Sequence, residues 1–524
     1  MTYASSRGRS PEIGFGDTLL GGLAPDGGLY LPTSWPSLPD KATDTYADLA
    51  AAVMAPFVAD SIDGSDFAPM VADAYDSFAH PDVCPVVELE PGHHLLELFH
   101  GPTLAFKDIA LQLVGRLFDY ELERRDQRVT IVGATSGDTG SAAMEAVRDR
   151  DRVDIVILFP KGRTSEVQRR QMTTLTSSNV HAVAVDGTFD DCQDLVKAMF
   201  ADEAFRTRVG LSAVNSINWA RVMAQIVYYV WASHQLGRRN TPTTFCVPTG
   251  NFGNVFAGHV AHRMGLPVER FVVASNTNDI LTRLIATGEM TAEEVVPTLS
   301  PSMDIQISSN LERLLFELLD GNGPETAELL ASFRSTGSAQ LTSDQHRRLV
   351  DEFGGTRLSD TETLEIIADV HDRTGLLIEP HTAVGVGAAR RLRRPDETVV
   401  TLATAHPAKF PDAVEQATGI RPGLPPHLAD LFERPERVTD LPNDLGIVED
   451  FVDSVRRGRT PVPSHPSFVG CVSCDGTRPG VLGPTTTPDK RCGGVPQPGR
   501  LSRRPPWRPR RCVDRRCNAK TETN

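Results

Sequence analysis

Two groups of short β-branched runs, each alternating with helix-sized segments, constrain this chain more than any other feature. VTIVGA at 129 to 134, VDIVILF at 153 to 159 and VHAVAV at 180 to 185 form the first group. TFCVP at 244 to 248, RFVVAS at 270 to 275 and TVVTLA at 398 to 403 form the second. Alternation of strand and helix builds βαβ units, and hence parallel sheets covered on both faces. Two groups predict two α/β domains with a cleft between them. Residues 276 to 375 read as helix-rich, because NLERLLFELLD at 310 to 320 and ETLEIIADVHD at 362 to 372 carry apolar residues at helical period. APDGGLYLP at 24 to 32 reads as a turn feeding an extended segment. No internal repeat is visible.

A chain of 524 residues is longer than one core usually organises, so two or three domains are expected. Apolar content of 40% and charged content of 23% exclude a disordered or fibrous chain. The start has no apolar run of signal-peptide length, and no stretch approaches membrane-spanning length, so a cytoplasmic location without a membrane partner is expected. Cys84, Cys192 and Cys246 stand singly in apolar sequence, which suits buried reduced thiols.

The net charge of -15 is unevenly spread. From Arg456 to Asn524 fifteen Lys and Arg face four Asp and Glu, a balance of +11 that leaves the body at -26. An acidic body repels nucleic acid, so no such partner is expected. The same 456 to 524 segment holds eleven of the 38 prolines and has no usable periodicity, so it is expected to be a disordered, dispensable tail. An altered reading frame and a lineage-specific extension would each give such an ending. Its Cys471 and Cys474 form a CxxC and Cys492 follows, but Cys512 and Cys517 have four residues between them and no fixed fold around them, and no histidine falls in an HExxH pattern, so no metal is expected.

Three stretches could carry chemistry. In FHGPTLAFKD, 99 to 108, Lys107 follows Phe106 and Leu104 and opens a helix whose apolar positions include Ile109, Leu113, Val114 and Leu117. An amine forms a Schiff base only when neutral, and an apolar collar lowers its pKa, so Lys107 is a candidate covalent anchor; the bland alternative is a solvated helix end. Asp108 suits the positive end of that helix. Gly250, Asn251, Phe252, Gly253 and Asn254 form a glycine loop between a strand and a helix opening at Val255, a geometry able to cradle an anion but also common without one. Thr135, Ser136, Gly137, Asp138 and Thr139 occupy the equivalent turn of the first group, where Ser136 or Asp138 could simply cap the helix.

FHGPTLAFKDIALQLVG, ATSGDTGSAA at 134 to 143, VPTGNFGNVFAG at 247 to 258 and ATAHPAKF at 403 to 410 together resemble the longer, bacterial and fungal type of threonine synthase. YASSRG at 3 to 8 and GLAPDGGLYLP at 22 to 32 extend the resemblance, which runs over roughly residues 1 to 455. It implies a fold type II pyridoxal-phosphate enzyme, built like the tryptophan synthase β-subunit, with a smaller N-terminal domain at 1 to 95. It also implies a catalytic region at 96 to 455 containing a small α/β insert at about 115 to 225. SMDIQISSNLER at 302 to 313 matches too, with no role to assign.

The resemblance implies pyridoxal 5'-phosphate as cofactor, Lys107 as its anchor and 250 to 254 as its phosphate loop. Asp138, where the wider class commonly has Asn, would stand near the phenolate oxygen, and the hydroxyl of Thr404 against the pyridine nitrogen. Thr135, Ser136, Gly137 and Thr139 would take the substrate carboxylate. Asn215, Ser216, Asn218 and Arg221 would take the phosphate of O-phospho-L-homoserine; a surface ion pair is the alternative for Arg221. His381 and His406 are expected to orient loops. The implied reaction turns O-phospho-L-homoserine and water into L-threonine and phosphate. A serine or threonine dehydratase and a non-catalytic binding protein of the same fold are the alternatives, and monomer and homodimer both stay open.

Overall fold

Helix Trp219–Gln235 is apolar almost all round, and a helix of that character must be enclosed. It is the spine of the main core, with Trp219 fully buried and the rings of Tyr3, Trp35 and Phe57 5.6 to 6.1 Å from its own. The computed structural model describes residues 1–40, 43–135, 137–213 and 216–457, all within one compact unit. The expectations for Ser136, Asn215 and the tail beyond 457 lie outside the described residues.

The N-terminal part packs a two-stranded antiparallel ribbon, Tyr3–Ser5 with Tyr30–Pro32, and helices Phe15–Gly21 and Tyr46–Val58 against that spine, while helix Gly64–Tyr75 packs on Tyr46–Val58 and on helix Lys107–Arg124. Thr45 caps the second of these helices, its hydroxyl accepting from the Asp48 amide.

The second strand group forms a six-stranded sheet in the order Phe353–Arg357, Val268–Ser275, Thr243–Pro248, Val399–Ala403, His93–Glu97, Val86–Glu90. All its pairings are parallel except the last, a hairpin. The first group forms a separate five-stranded parallel sheet in the order Thr439–Pro442, Val180–Asp186, Val153–Pro160, Val129–Ala134, Leu211–Ser212. Its outer strand comes from well beyond residue 225. The chain then adds helix Leu445–Arg457, whose Val448 and Val452 are fully buried in the core that also holds Cys192, Met199 and Phe205. The first-group sheet is therefore completed by chain that follows the last strand of the other.

In open parallel sheets, ligands gather outside the carboxyl ends of the strands. Val129–Ala134 runs into the Thr135 turn, Thr243–Pro248 into the glycine loop, Val399–Ala403 into Thr404, and His93–Glu97 toward Lys107. Four segments far apart in sequence are thus delivered to strand ends. Among the described residues no helix is long and apolar enough to cross a membrane. Cys84, Cys192 and Cys246 are buried and free.

Candidate active site

Lys107 is the first residue of helix Lys107–Arg124, and its Nζ lies 3.1 Å from Oδ2 of Asp138 and 5.0 Å from the centre of the Phe106 ring. Burial pushes the amine below the ordinary lysine range, Asp138 pulls it back up, and the nearby charges of Lys409 and Arg221 lower it again. The net direction is down, toward the neutral form an amine needs to attack a carbonyl. Leu104 is buried with Val167, Leu428 and Leu431 and has φ of +63°, a left-handed conformation that a leucine adopts only under constraint. Asp108 is turned back on the preceding loop rather than left at the helix end: its oxygens accept from the amide and hydroxyl of Thr103, each at 2.7 Å, and burial raises its pKa to about 6.

Asp138 opens helix Asp138–Val147 but makes no cap. Its Oδ2 also accepts from Ser302 Oγ at 3.3 Å, and its Oδ1 accepts from Gln168 Nε2 at 2.9 Å and pairs with Lys409 Nζ at 2.8 Å. Burial alone would raise this carboxyl; the Lys107 and Lys409 charges, with hydrogen bonds from Lys409 and Gln168, hold it well below the usual range. The turn before it is built by Thr135, whose Oγ1 accepts from the amides of Gly137 and Gly140, both at 3.0 Å. Gly137 has φ of +151°, and a Cβ there would run into the Gln168 amide, so only glycine serves. Thr139, one residue into the helix, is half-buried.

The glycine loop lies across from this turn. Helix Gly253–Arg263 begins two residues earlier than the sequence pattern suggests, after Phe252 in the left-handed region at φ of +62°. A Cβ on Gly250 would come within 2.7 Å of the Ser302 carbonyl, so the loop closes on its neighbour only with glycine there. Asn251 is fixed by the Asn310 amide and side chain, 3.0 and 3.1 Å from its carbonyl. Asn254 accepts from Tyr228 and Tyr229 through Oδ1, at 2.5 and 2.8 Å, and its Nδ2 is buried without a partner among the described residues.

Arg221 is 3% exposed, with Nε and Nη1 unpartnered and no ion pair among the described residues. Burial pushes its pKa down to about 10. The surface-pair alternative is thereby excluded, and the buried cation is left without a counter-ion among the described residues. Asn218 is engaged elsewhere: its Oδ1 caps the helix by accepting from Ala220, and its Nδ2 donates to the Leu19 carbonyl at 2.8 Å. The Ser216 carbonyl accepts from Asn310 Nδ2 at 3.1 Å.

Thr404 is buried at 6% exposure, and its carbonyl accepts the Phe106 amide at 2.9 Å. His406 and His381 do serve as struts. His406 Nδ1 accepts from the Ala408 amide, with burial lowering its pKa to about 4. His381 Nδ1 meets Glu379 at 2.6 Å while its Nε2 accepts from the Ser302 amide at 3.1 Å, a chain that ends on Asp138.

Sequence reasoning missed Lys409, Gln168, Ser302, Asn310 and Arg313. Three of them sit in SMDIQISSNLER, and Lys409 sits in ATAHPAKF. Arg313, fully buried, donates to the carbonyls of Tyr30 and Ile217 at 3.0 and 2.6 Å and to Asn310, tying the N-terminal part to both the 216 and 250 loops. A separate surface cavity of about 530 Å³, lined by His259, Arg263, Glu317, Arg348 and Glu352 among others, contains none of the Lys107 constellation.

The residues fit pyridoxal phosphate: a buried lysine disposed to lose its proton and a glycine cradle at a helix N-terminus with an orphaned amide. The chain matches the family model for the threonine synthase N terminus over residues 2–75, for pyridoxal-phosphate dependent enzymes over 93–405, and for the threonine synthase C-terminal region over 382–452. A threonine synthase of Pseudomonas aeruginosa is 52% identical over 465 residues, covering 86% of this chain and 98% of the relative. The crystal structure of PLP-bound threonine synthase from Brucella melitensis superposes with a TM-score of 0.86 at 49% identity, over 87% of this chain and 100% of that one. That of threonine synthase from yeast gives 0.83 at 38% identity, over 87% and 99%. Sequence, fold and a cradle that suits the cofactor agree from the first strand to the last helix: the chain belongs to the threonine synthase family of pyridoxal-phosphate dependent enzymes.

Proposed function

We propose that the chain converts O-phospho-L-homoserine and water to L-threonine and phosphate, with pyridoxal 5'-phosphate joined to Lys107. The observation that carries this reading is that, in addition to the buried Lys107, the chain has an unpartnered Asn254 amide in the glycine loop and an unpartnered buried Arg221, two groups that each suit a phosphate. When bound, the cofactor supplies an electron sink for negative charge that develops on the substrate carbons.

The protein's own groups divide the remaining work. Gly250, Asn251, Phe252, Gly253 and Asn254 would hold the cofactor phosphate, the Thr404 hydroxyl would serve the ring nitrogen, and Asp138 would serve the phenolate oxygen. Thr135, Ser136, Gly137 and Thr139 take the substrate carboxylate. Arg221, with Asn215 and Ser216, binds the substrate phosphate and neutralises it as it departs from Cγ. Asn218 keeps that helix end in place through its cap. Lys107 Nζ, as a neutral amine, removes and returns protons at Cα and Cβ.

The same reading divides the chain into an N-terminal domain at 1–95 and a catalytic region at 96–455 with its insert at about 115–225. The returning strand and helix at 439–457 support assigning that segment to the insert's sheet. It also places the enzyme in the cytoplasm. A dehydratase would have no use for Arg221 or for the N-terminal region matched at 2–75. The test is product analysis: purified protein with pyridoxal phosphate and O-phospho-L-homoserine should release phosphate and L-threonine in equal amounts. Ammonia and a 2-oxo acid as the principal products, from either phosphohomoserine or threonine, would contradict it.

A further inference from the structure

The most enclosed amine of the site is one that the reaction above does not use. Lys409 has no solvent exposure, and its Nζ is held by the Thr103 carbonyl at 2.7 Å and by Oδ1 of Asp138 at 2.8 Å. A buried ammonium persists only with a compensating charge, and Asp138 is its ion-pair partner among the described residues. The carboxylate is therefore divided, one oxygen on Lys409 and Gln168, the other on Lys107 and Ser302.

The other charged groups around this pair are few. Helix Lys107–Arg124 brings Lys107 and Asp108, the latter bound by Thr103 and also stabilised as a carboxylate by the Lys409 charge. His381, paired with Glu379, reaches the site through Ser302. Helix Trp219–Gln235 brings Arg221. Helix Glu166–Thr173 offers the neutral Gln168 and Gln171, and Gln171 shares the Thr103 carbonyl at 3.1 Å. On the helix that follows Lys409, Asp412 and Glu415 are paired with Arg421.

The arrangement resolves a conflict within the site. Lys107 must give up its proton, yet it is half of the charge balance of a buried carboxylate, and an uncompensated buried carboxylate is costly. We propose that Lys409 is a positioning residue that keeps Asp138 ionised on its own, so that Lys107 is free to release its proton and join the cofactor. This rests on Lys107 being the anchor.

Without the second ammonium, Asp138 would hold Lys107 in its protonated form. Lys409→Met should move the pH midpoint for covalent capture of pyridoxal phosphate upward by about one unit, equivalent to about a tenfold loss of neutral amine at fixed pH. Lys409→Gln, which keeps a donor for the Thr103 carbonyl and guards against collapse of the loop, should shift it in the same direction. Combining either with Asp138→Asn should bring the midpoint back to or below that of the parent chain, a reversal that mere structural damage would not give. Capture is followed by the visible absorbance of the cofactor–lysine linkage, and the label is located by mass spectrometry after borohydride reduction. A label on Lys107 with an unmoved midpoint in both single variants overturns this proposal alone. A label on another lysine of the parent chain overturns the anchor assignment and this proposal together.

Discussion

The amide of Phe106 donates to the carbonyl of Thr404 over 2.9 Å, so the residue before Lys107 and the end of strand Val399–Ala403 are stitched together by backbone. The Ala105 and Ala405 bridge and the bond from His406 N to Leu104 O, at 3.0 Å, extend the seam. Thr404 is thereby placed by its main chain, and among the described residues its hydroxyl takes no hydrogen bond. Thr404→Val should fold as the parent does and keep its cofactor. Its kcat should drop about tenfold, the cost of one hydrogen bond of about 1 to 1.5 kcal/mol. An unchanged kcat in steady-state assays would remove the hydroxyl from the mechanism.

Arg221 should show opposite effects on stability and on function. Its unpartnered guanidinium burdens the ligand-free fold, so Arg221→Met should raise the thermal midpoint of ligand-free protein. The same change removes a charge-assisted contact worth about 1.5 to 3 kcal/mol, or roughly ten- to a hundredfold in kcat/KM for O-phospho-L-homoserine. Cofactor affinity should change far less. Loss of cofactor with normal substrate affinity would assign Arg221 to the other phosphate.

His259 predicts a loss of stability at alkaline pH. It is 4% exposed, with Nδ1 2.7 Å from Glu352 and Nε2 3.3 Å from Glu317. Burial alone would lower its pKa, but hydrogen bonds and charge from the two glutamates outweigh that and raise it from 6.5 to about 9. A raised folded-state pKa means the stabilisation is full below about 6.5 and is lost as pH climbs through 9, with roughly 3 kcal/mol at stake. Melting curves at pH 6.5 and pH 9.5 should show a larger fall for the parent than for His259→Gln. Parallel falls would mean the imidazole is not charged at neutral pH.

The chain should tolerate removal of everything after Val455 but not of the helix before it. Ending at Val455 should leave activity and thermal midpoint close to those of the full chain. Ending at Asp444 deletes Val448 and Val452, both fully buried, at a cost of about 3 kcal/mol or more. Equal stability of the two shortened chains would show that this helix contributes nothing to the core.

How much of this was legible in the sequence depended on whether a signal is local. The runs 129–134, 153–159 and 180–185 became strands within a residue of their predicted bounds because buried parallel strands are continuously β-branched. Phe353–Arg357 escaped notice because FGGTR has the composition of a loop and is a strand only through its neighbour at 268–275. Thr439–Pro442 did so because its partner lies some 250 residues earlier. At the site, Lys107 and the glycine loop carry local signatures. Lys409, Ser302 and Arg313 do not, since what makes each of them matter is a contact with a residue more than ninety positions away. Asp138 shows the limit from the other side: its position allowed a helix cap as well as the place beside the cofactor that the resemblance implies, and only tertiary structure shows its carboxylate between two lysines.

The central claim is that Lys107 is the covalent anchor, and borohydride reduction of the protein loaded with pyridoxal phosphate, followed by peptide mass spectrometry, tests it most directly. A single pyridoxyl group on Lys107, absent from a folded Lys107→Ala variant that has also lost turnover, is the predicted result. A pyridoxyl group on Lys409 or any other lysine, or full activity in Lys107→Ala, would contradict the account.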